Sequence, residues 1–145
     1  MRNFNIYLSG GMCKFGKEEF DKGNTWRKYC DAAFKNHECE FKVKVYNPND
    51  YFNFKDRPPK YKSQKEVMDW DLYKLRDSDL VIVNFNDKQS LGTMREIAIA
   101  YDRRIPIIGF NIANQDLHHW QICMCERIFD KINDLIEYVK EFYLR

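Results

Sequence analysis

The sequence is poor in the residues that punctuate or staple a chain. It has only 6 glycines and 4 prolines among 145 residues, which excludes collagen-like and Pro/Gly-rich disordered classes. Its 5 cysteines are odd in number and have no framework spacing, so a disulfide scaffold is excluded and reduced thiols are expected. No apolar run approaches the roughly 20 residues needed to cross a bilayer, and the opening MRNFNIYLSGG lacks a long apolar signal core. The expectation is a soluble, cytoplasmic protein with no membrane partner. Charge of one sign is also scarce: the net charge is +2, from 24 basic and 22 acidic residues, which argues against a nucleic acid polymer as partner. The imbalance is local, with 14 Lys/Arg against 9 Asp/Glu in residues 1 to 66 and 10 against 13 in residues 67 to 145. No repeat or linker divides the chain, so residues 1–145 are expected to form one domain.

What is present is a hydrophobic share of 44% and an aromatic share of 16%, enough for a packed core and for surfaces that hold flat ligands. Phe4 to Ser9 alternates and runs into Gly10 and Gly11, as a strand ending in a turn does. A helix fits about Lys17 to Phe34. Phe41 to Tyr46 alternates again and stops at the turn cluster Asn47-Pro48-Asn49-Asp50. Tyr51 to Lys62, with Pro58-Pro59, reads as a long mobile connection. Ser63 to Glu66 matches a capping box, and Met68, Leu72 and Leu75 continue at helical spacing to Arg76. Asp79 to Asn84 is apolar on both faces. A helix follows from Ser90-Leu91-Gly92-Thr93 to about Asp102, then a strand from Ile105 to Phe110, a helix from Gln115 to Met124, a short strand at Arg127 to Phe129 and an amphipathic helix from Ile132 to Tyr143. Alternating strands and helices predict an α/β domain, a parallel sheet of about five strands between helix layers.

In such sheets ligands bind beyond the carboxyl ends of the strands, near the switch in strand order. Those ends carry Ser9-Gly10-Gly11-Met12, Asn47 to Asp50, Asn84 to Gly92, and Asn111 onward. Gly11 to Lys17 matches the GxxxxGK of a phosphate loop, but Glu18 stands where a magnesium-binding Ser or Thr is needed, which counts against that reading. Gly10 and Gly11 could still let a backbone approach a ligand closely. Glu96 has two readings: a cap partner of Thr93, or a carboxylate in the first helical turn, kept ionised and nucleophilic by the helix dipole. Asp71, among Met68, Leu72 and Leu75, borders the buried stripe, where desolvation suits it to proton donation; a solvated helix residue is the plainer reading. Asp77 and Asp79 read as turn and strand-entry residues. His118 and His119 with Cys123 and Cys125 fit no standard zinc spacing, so no metal and no cofactor is expected. Of the aromatics, Tyr7, Tyr51, Phe52, Trp120 and Tyr143 could reach a site at the sheet ends.

Tyr7-Leu8-Ser9-Gly10-Gly11-Met12, Asn47-Pro48, Trp70-Asp71-Leu72, Ser78 to Val83, and Ser90-Leu91-Gly92-Thr93 with Glu96-Ile97-Ala98 and Ala100-Tyr101 together resemble the nucleoside 2-deoxyribosyltransferase family, in order and spacing, over nearly the whole chain. The resemblance implies a flavodoxin-like, Rossmann-like fold that breaks the N-glycosidic bond of 2′-deoxynucleosides. Related enzymes hydrolyse 2′-deoxynucleoside 5′-monophosphates. It implies that Glu96 attacks C1′, that Tyr7 orients Glu96, and that Asp71 exchanges a proton with the base. Gly10, Gly11, Met12, Asn47, Ser90, Gly92, His118 and Trp120 are the implied substrate-binding residues. The better-known transferases hold the 5′-hydroxyl with an acidic residue where Ser90 stands; the nucleotide hydrolases use serine there. Gly11 in turn replaces a serine that the hydrolases use for phosphate. A small nucleoside or nucleotide and a free nucleobase are the implied ligands, and a homo-oligomer with sites shared between subunits, near His118 and Glu141 to Arg145, is the implied assembly.

Overall fold

The structure, a computed structural model, describes residues 1–11, 16–50 and 62–145, with the backbone alone for residues 16–22. Its elements are β1 (Arg2–Gly10), α1 (Gly16–Lys35), β2 (Phe41–Tyr46), a 3-10 turn (Pro48–Asp50), α2 (Gln64–Arg76), β3 (Leu80–Asn84), α3 (Leu91–Asp102), β4 (Ile107–Phe110), α4 (His119–Met124), β5 (Arg127–Phe129) and α5 (Ile132–Phe142). All strand pairs are parallel, in the order β2-β1-β3-β4-β5. The chain steps from β1 outward to β2, then crosses back to β3 on the other side of β1. That reversal opens the crevice in which sheets of this kind bind ligands.

Period-2 alternation sorts the side chains into two cores. Ile6, Leu8, Leu80, Ile82, Ile108 and Phe110 pack against Cys30 and Phe34 of α1 and Leu135, Ile136 and Val139 of α5. Tyr7, Val81, Val83 and Ile107 face the other way, against Leu75 of α2 and Ile97 and Ala100 of α3. Strand β3 is buried at every position, as its unbroken apolar run predicts. The base of the sheet is tied by Asp79: its backbone N–H donates to the Asn5 carbonyl at 2.8 Å, and its carboxylate accepts from the Asn5 N–H at 2.8 Å. It is thus a strand-entry residue, as the sequence suggests. At Gly109 an added Cβ would lie 2.7 Å from Phe85 Cε2 and 3.1 Å from Val83 Cγ1, so close packing across the sheet requires glycine there.

Several boundaries differ from the sequence reading, β1 starting at Arg2 rather than Phe4, and two of them have a clear cause. Strand β4 starts at Ile107 rather than Ile105, because Pro106 has no N–H and contributes only its carbonyl, which accepts from Val81 N at 3.0 Å. Helix α4 starts at His119 rather than Gln115. Asn111 and Gln115 clasp each other through side chain and backbone (2.9 and 3.0 Å), and the Gln115 amide donates to the carbonyls of Phe85 and Asn86 (2.7 and 3.1 Å). These bonds hold the segment as a loop in competition with a helix. Most of the Tyr51 to Lys62 connection, and part of the Gly11 to Glu18 run, lie outside the described residues. Among the described residues, no helix is long and apolar enough to cross a membrane.

Candidate active site

The carboxyl ends of β1 and β2 meet α2 and α3 around a cavity of about 870 Å³. Its lining includes Tyr7, Gly10, Arg27, Asp71, Ser90, Gly92, Arg95 and Glu96. Helix α3 is capped by Ser90, whose hydroxyl accepts from the Thr93 N–H at 3.4 Å and lies 2.9 Å from the Thr93 hydroxyl. Because the cap is at Ser90, the box expected between Thr93 and Glu96 does not form, and Glu96 falls in the second turn rather than the first.

The Glu96 carboxylate turns toward β1. Tyr7 donates its hydroxyl to Oε2, and Ser9 donates to Oε1 at 3.1 Å. Tyr7 and Ser9 are two residues apart on one strand, so both hydroxyls project from the same face of the sheet. Burial dominates the electrostatics and pushes the Glu96 carboxyl up to about 7. The Tyr7 hydrogen bond opposes this, the Asp71 charge adds to it, and Ser9 and Arg27 oppose it in turn. The helix dipole expected to hold this carboxylate ionised is therefore outweighed: Glu96 lies beyond the first turn, where the dipole fades. The same burial, with the nearby negative charges, raises the Tyr7 phenol well above its ordinary value, so Tyr7 stays a donor.

Asp71 on α2 faces the same cavity and accepts from the Tyr46 hydroxyl at 2.9 Å. Burial raises it to about 6, against the Tyr46 hydrogen bond and the charge of Arg27. Two carboxyls raised toward neutrality thus line one cavity, and burial leaves Glu96 the weaker acid of the two, so nucleophilic attack requires the state in which the shared proton sits on Asp71, a state that the Tyr7 and Ser9 hydrogen bonds to Glu96 favour.

Arg27 on α1 is 1% exposed. Its guanidinium donates to the Gly23 carbonyl at 2.7 Å and the Gly10 carbonyl at 3.0 Å, and burial lowers it to about 10 while the charges of Glu96, Tyr7 and Asp71 raise it. It is a buried cation beside two carboxyls that sequence reading missed. The available signal was its place three and seven residues before the buried Cys30 and Phe34 on one helical stripe. Tyr46 was missed as well, reading as an ordinary strand residue, and Ser9, although it stands at a strand end where ligands are expected, has no role assigned to it in the sequence reading.

The remaining expected site residues divide into two sets. Ser90 and Gly92 line the cavity, and an added Cβ at Gly92 would meet nothing within 4 Å. Gly10 lines it too, although the space over its Cα belongs to Trp26, 3.0 Å from an added Cβ. Other residues stand apart. The Gly11 N–H donates to the Asn86 side chain at 2.9 Å, and the Asn86 amide returns a bond to the Gly11 carbonyl at 3.3 Å. Asn47 is buried, its amide donating to Asn24 at 2.8 Å and its oxygen accepting from the Asn49 N–H at 3.0 Å. His118 caps α4, accepting from the Trp120 N–H at 3.1 Å. Together with the exposed Trp120 it lines a separate groove of about 730 Å³ beside Lys88, Met94 and Tyr101. Met12 lies outside the described residues. Among the described residues no group of three or more His, Cys, Asp or Glu could hold a metal ion.

A family model described as nucleoside 2-deoxyribosyltransferase matches residues 6–136. Solved structures share the fold at low identity. A conserved protein from Enterococcus faecalis V583 aligns at 17% identity and TM-score 0.72, over 95% of this chain and 98% of its own. A 2-deoxyribosyltransferase from Bacillus psychrosaccharolyticus aligns at 16% and TM-score 0.70, covering 92% and 91%. A 2-deoxyribosyltransferase from Leishmania mexicana aligns at 16% and TM-score 0.66, covering 97% and 99%. No match to the sequence was found among curated proteins.

Proposed function

Since this chain belongs to the nucleoside 2-deoxyribosyltransferase family, we propose that it cleaves the N-glycosidic bond of 2′-deoxynucleosides through Glu96 and passes the sugar to a second base. The observation that carries this reading is the pairing at the cavity. Glu96 accepts from two hydroxyls of β1, and Asp71 faces the same space from α2.

The Glu96 carboxylate attacks C1′ as the C1′–N bond breaks through an oxocarbenium-like transition state, and the bond's electron pair leaves with the base. Asp71, protonated, gives its proton to that base, which departs neutral. An incoming base then attacks C1′, returns a proton to Asp71 and releases Glu96. Two displacements restore the original configuration at C1′. Tyr7 and Ser9 hold Glu96 against rotation, so that attack needs little reorganisation. Val67, Met68 and Leu72 on α2 offer an apolar wall to a flat base. The N-terminal turn of α3, with Gly92 leaving open space, faces the sugar.

A second reading, hydrolysis of 2′-deoxynucleoside 5′-monophosphates by the same residues, is favoured by Ser90 and Arg95 on that lining. A serine hydroxyl and a guanidinium suit a phosphate, which a carboxylate would repel. Either way the sites would be small-molecule sites, completed by a neighbouring subunit near His118 and the C-terminal residues.

The test is incubation with each 2′-deoxynucleoside and each 5′-monophosphate, with and without a free acceptor base, following bases by chromatography. Base exchange that requires acceptor supports transfer. Free base released without acceptor supports hydrolysis. No turnover of either class, or full turnover by Glu96→Ala, would sink both.

A further inference from the structure

We propose that Tyr46 is a positioning residue for the proton donor Asp71, fixing which carboxyl oxygen faces the leaving base and stabilising the carboxylate left behind when the proton departs. The proposal rests on the reading of Asp71 as the acid and adds a residue to it.

The geometry is specific. Tyr46 ends β2 and is the register partner of Tyr7 on β1. The two rings stack with centroids 5.3 Å apart and planes at 29°. From this stack the hydroxyls diverge, Tyr7 to Glu96 and Tyr46 to Asp71 Oδ1 at 2.9 Å. A phenol that donates to Oδ1 leaves Oδ2 as the oxygen that carries the transferable proton. When that proton moves to the base, Asp71 becomes a carboxylate, and a hydrogen bond to a charged acceptor is stronger than one to a neutral carboxyl. The Tyr46 bond therefore strengthens along the reaction, and that is the condition for lowering a barrier. The ionisable groups that act on Asp71 are Tyr46 from β2 and Arg27 from α1, and Asp71 in turn acts on Glu96 of α3 and Tyr7 of β1. Of these, only Tyr46 has a hydrogen bond to Asp71 among the described contacts.

Tyr46→Phe keeps the ring and its stacking and removes one hydroxyl. It should lower kcat/KM about tenfold for neutral-base substrates, the scale of one charge-assisted hydrogen bond. It should leave a 7-methylpurine 2′-deoxynucleoside within about twofold, because that base already carries a positive charge and leaves without a proton from Asp71. Losing a bond that favours ionised Asp71 raises its pKa, so the neutral-substrate pH profile moves to higher pH. In an Asp71→Asn background the Tyr46→Phe change should have no further effect, since Tyr46 acts through Asp71.

Equal losses on both substrates, an unmoved pH profile, or full additivity with Asp71→Asn would overturn the proposal. Should the Phe variant not fold, 3-fluorotyrosine at position 46, a stronger donor, must move the profile to lower pH, and an unmoved profile again overturns it. Wild-type protein inactive on every substrate, or Glu96→Ala fully active, would instead defeat the underlying reading.

Discussion

Tyr7 lies stacked on Tyr46 at the carboxyl ends of two neighbouring strands, yet the two hydroxyls serve different carboxyls, Glu96 and Asp71. The aromatic pair is a rigid platform that sets the separate attitudes of a nucleophile and an acid. Each phenol costs little further entropy to hold, because stacking already restricts both rings.

Tyr7→Phe tests one arm of that platform. The ring stays, the donor to Glu96 goes, and Glu96 loses the largest of the influences that favour its ionised form. Activity should fall about 10- to 100-fold at neutral pH, with the acid limb moved to higher pH. The loss should be similar for neutral and cationic leaving groups, because both depend on the same attack of Glu96 on C1′. Steady-state kinetics across pH with both substrate types measures this.

Glu96→Gln should raise stability while abolishing turnover. The folded-state pKa of Glu96 lies near 7 against an ordinary 4.5, so the folded protein holds the proton more tightly than the unfolded chain. Its contribution to stability is full below about pH 4.5 and is lost as pH rises through about 7. The Gln variant escapes that loss. Wild type and variant should match near pH 4, and the variant should be more stable by about 1–2 kcal/mol at pH 8, the part-buried position tempering the full shift. Chemical denaturation at the two pH values measures the gap; identical curves at pH 8 would contradict the burial of this carboxyl.

Two glycine substitutions should separate packing from ligand access. Gly109→Ala places a methyl 2.7 Å from Phe85 and should cost about 1–3 kcal/mol by overpacking. Gly92→Ala meets no atom within 4 Å and should leave the melting temperature unchanged or slightly higher, given alanine's helix propensity. Its methyl borders the cavity, so KM should rise. Thermal melts and KM together decide the point.

The elements were legible in the sequence because their signals are local. Alternation marks Phe41 to Tyr46, the apolar run marks Leu80 to Asn84, and Ser63 caps α2 through the Glu66 N–H. Glu96, Asp71 and Tyr7 could be singled out by resemblance and are brought to one cavity. What stayed hidden depends on non-local pairing. Tyr46 meets Tyr7 only through the β1–β2 register, and neither residue's neighbours reveal it. Arg27 reads as one more helical cation until its burial against the Gly10 carbonyl is seen. The start of α4 moved because the Gln115 side chain chose loop carbonyls that lie about 30 residues away. His118 and Trp120 lie on a separate groove in the single chain.

The most direct test of the account is a rapid acid quench of the protein with a 2′-deoxynucleoside in the absence of acceptor, followed by peptide mass spectrometry. The account predicts one 2-deoxyribosyl group on the peptide that contains Glu96, absent from Glu96→Gln and discharged when a free base is added before the quench. Turnover without any such adduct, or an adduct on a residue other than Glu96, would contradict it.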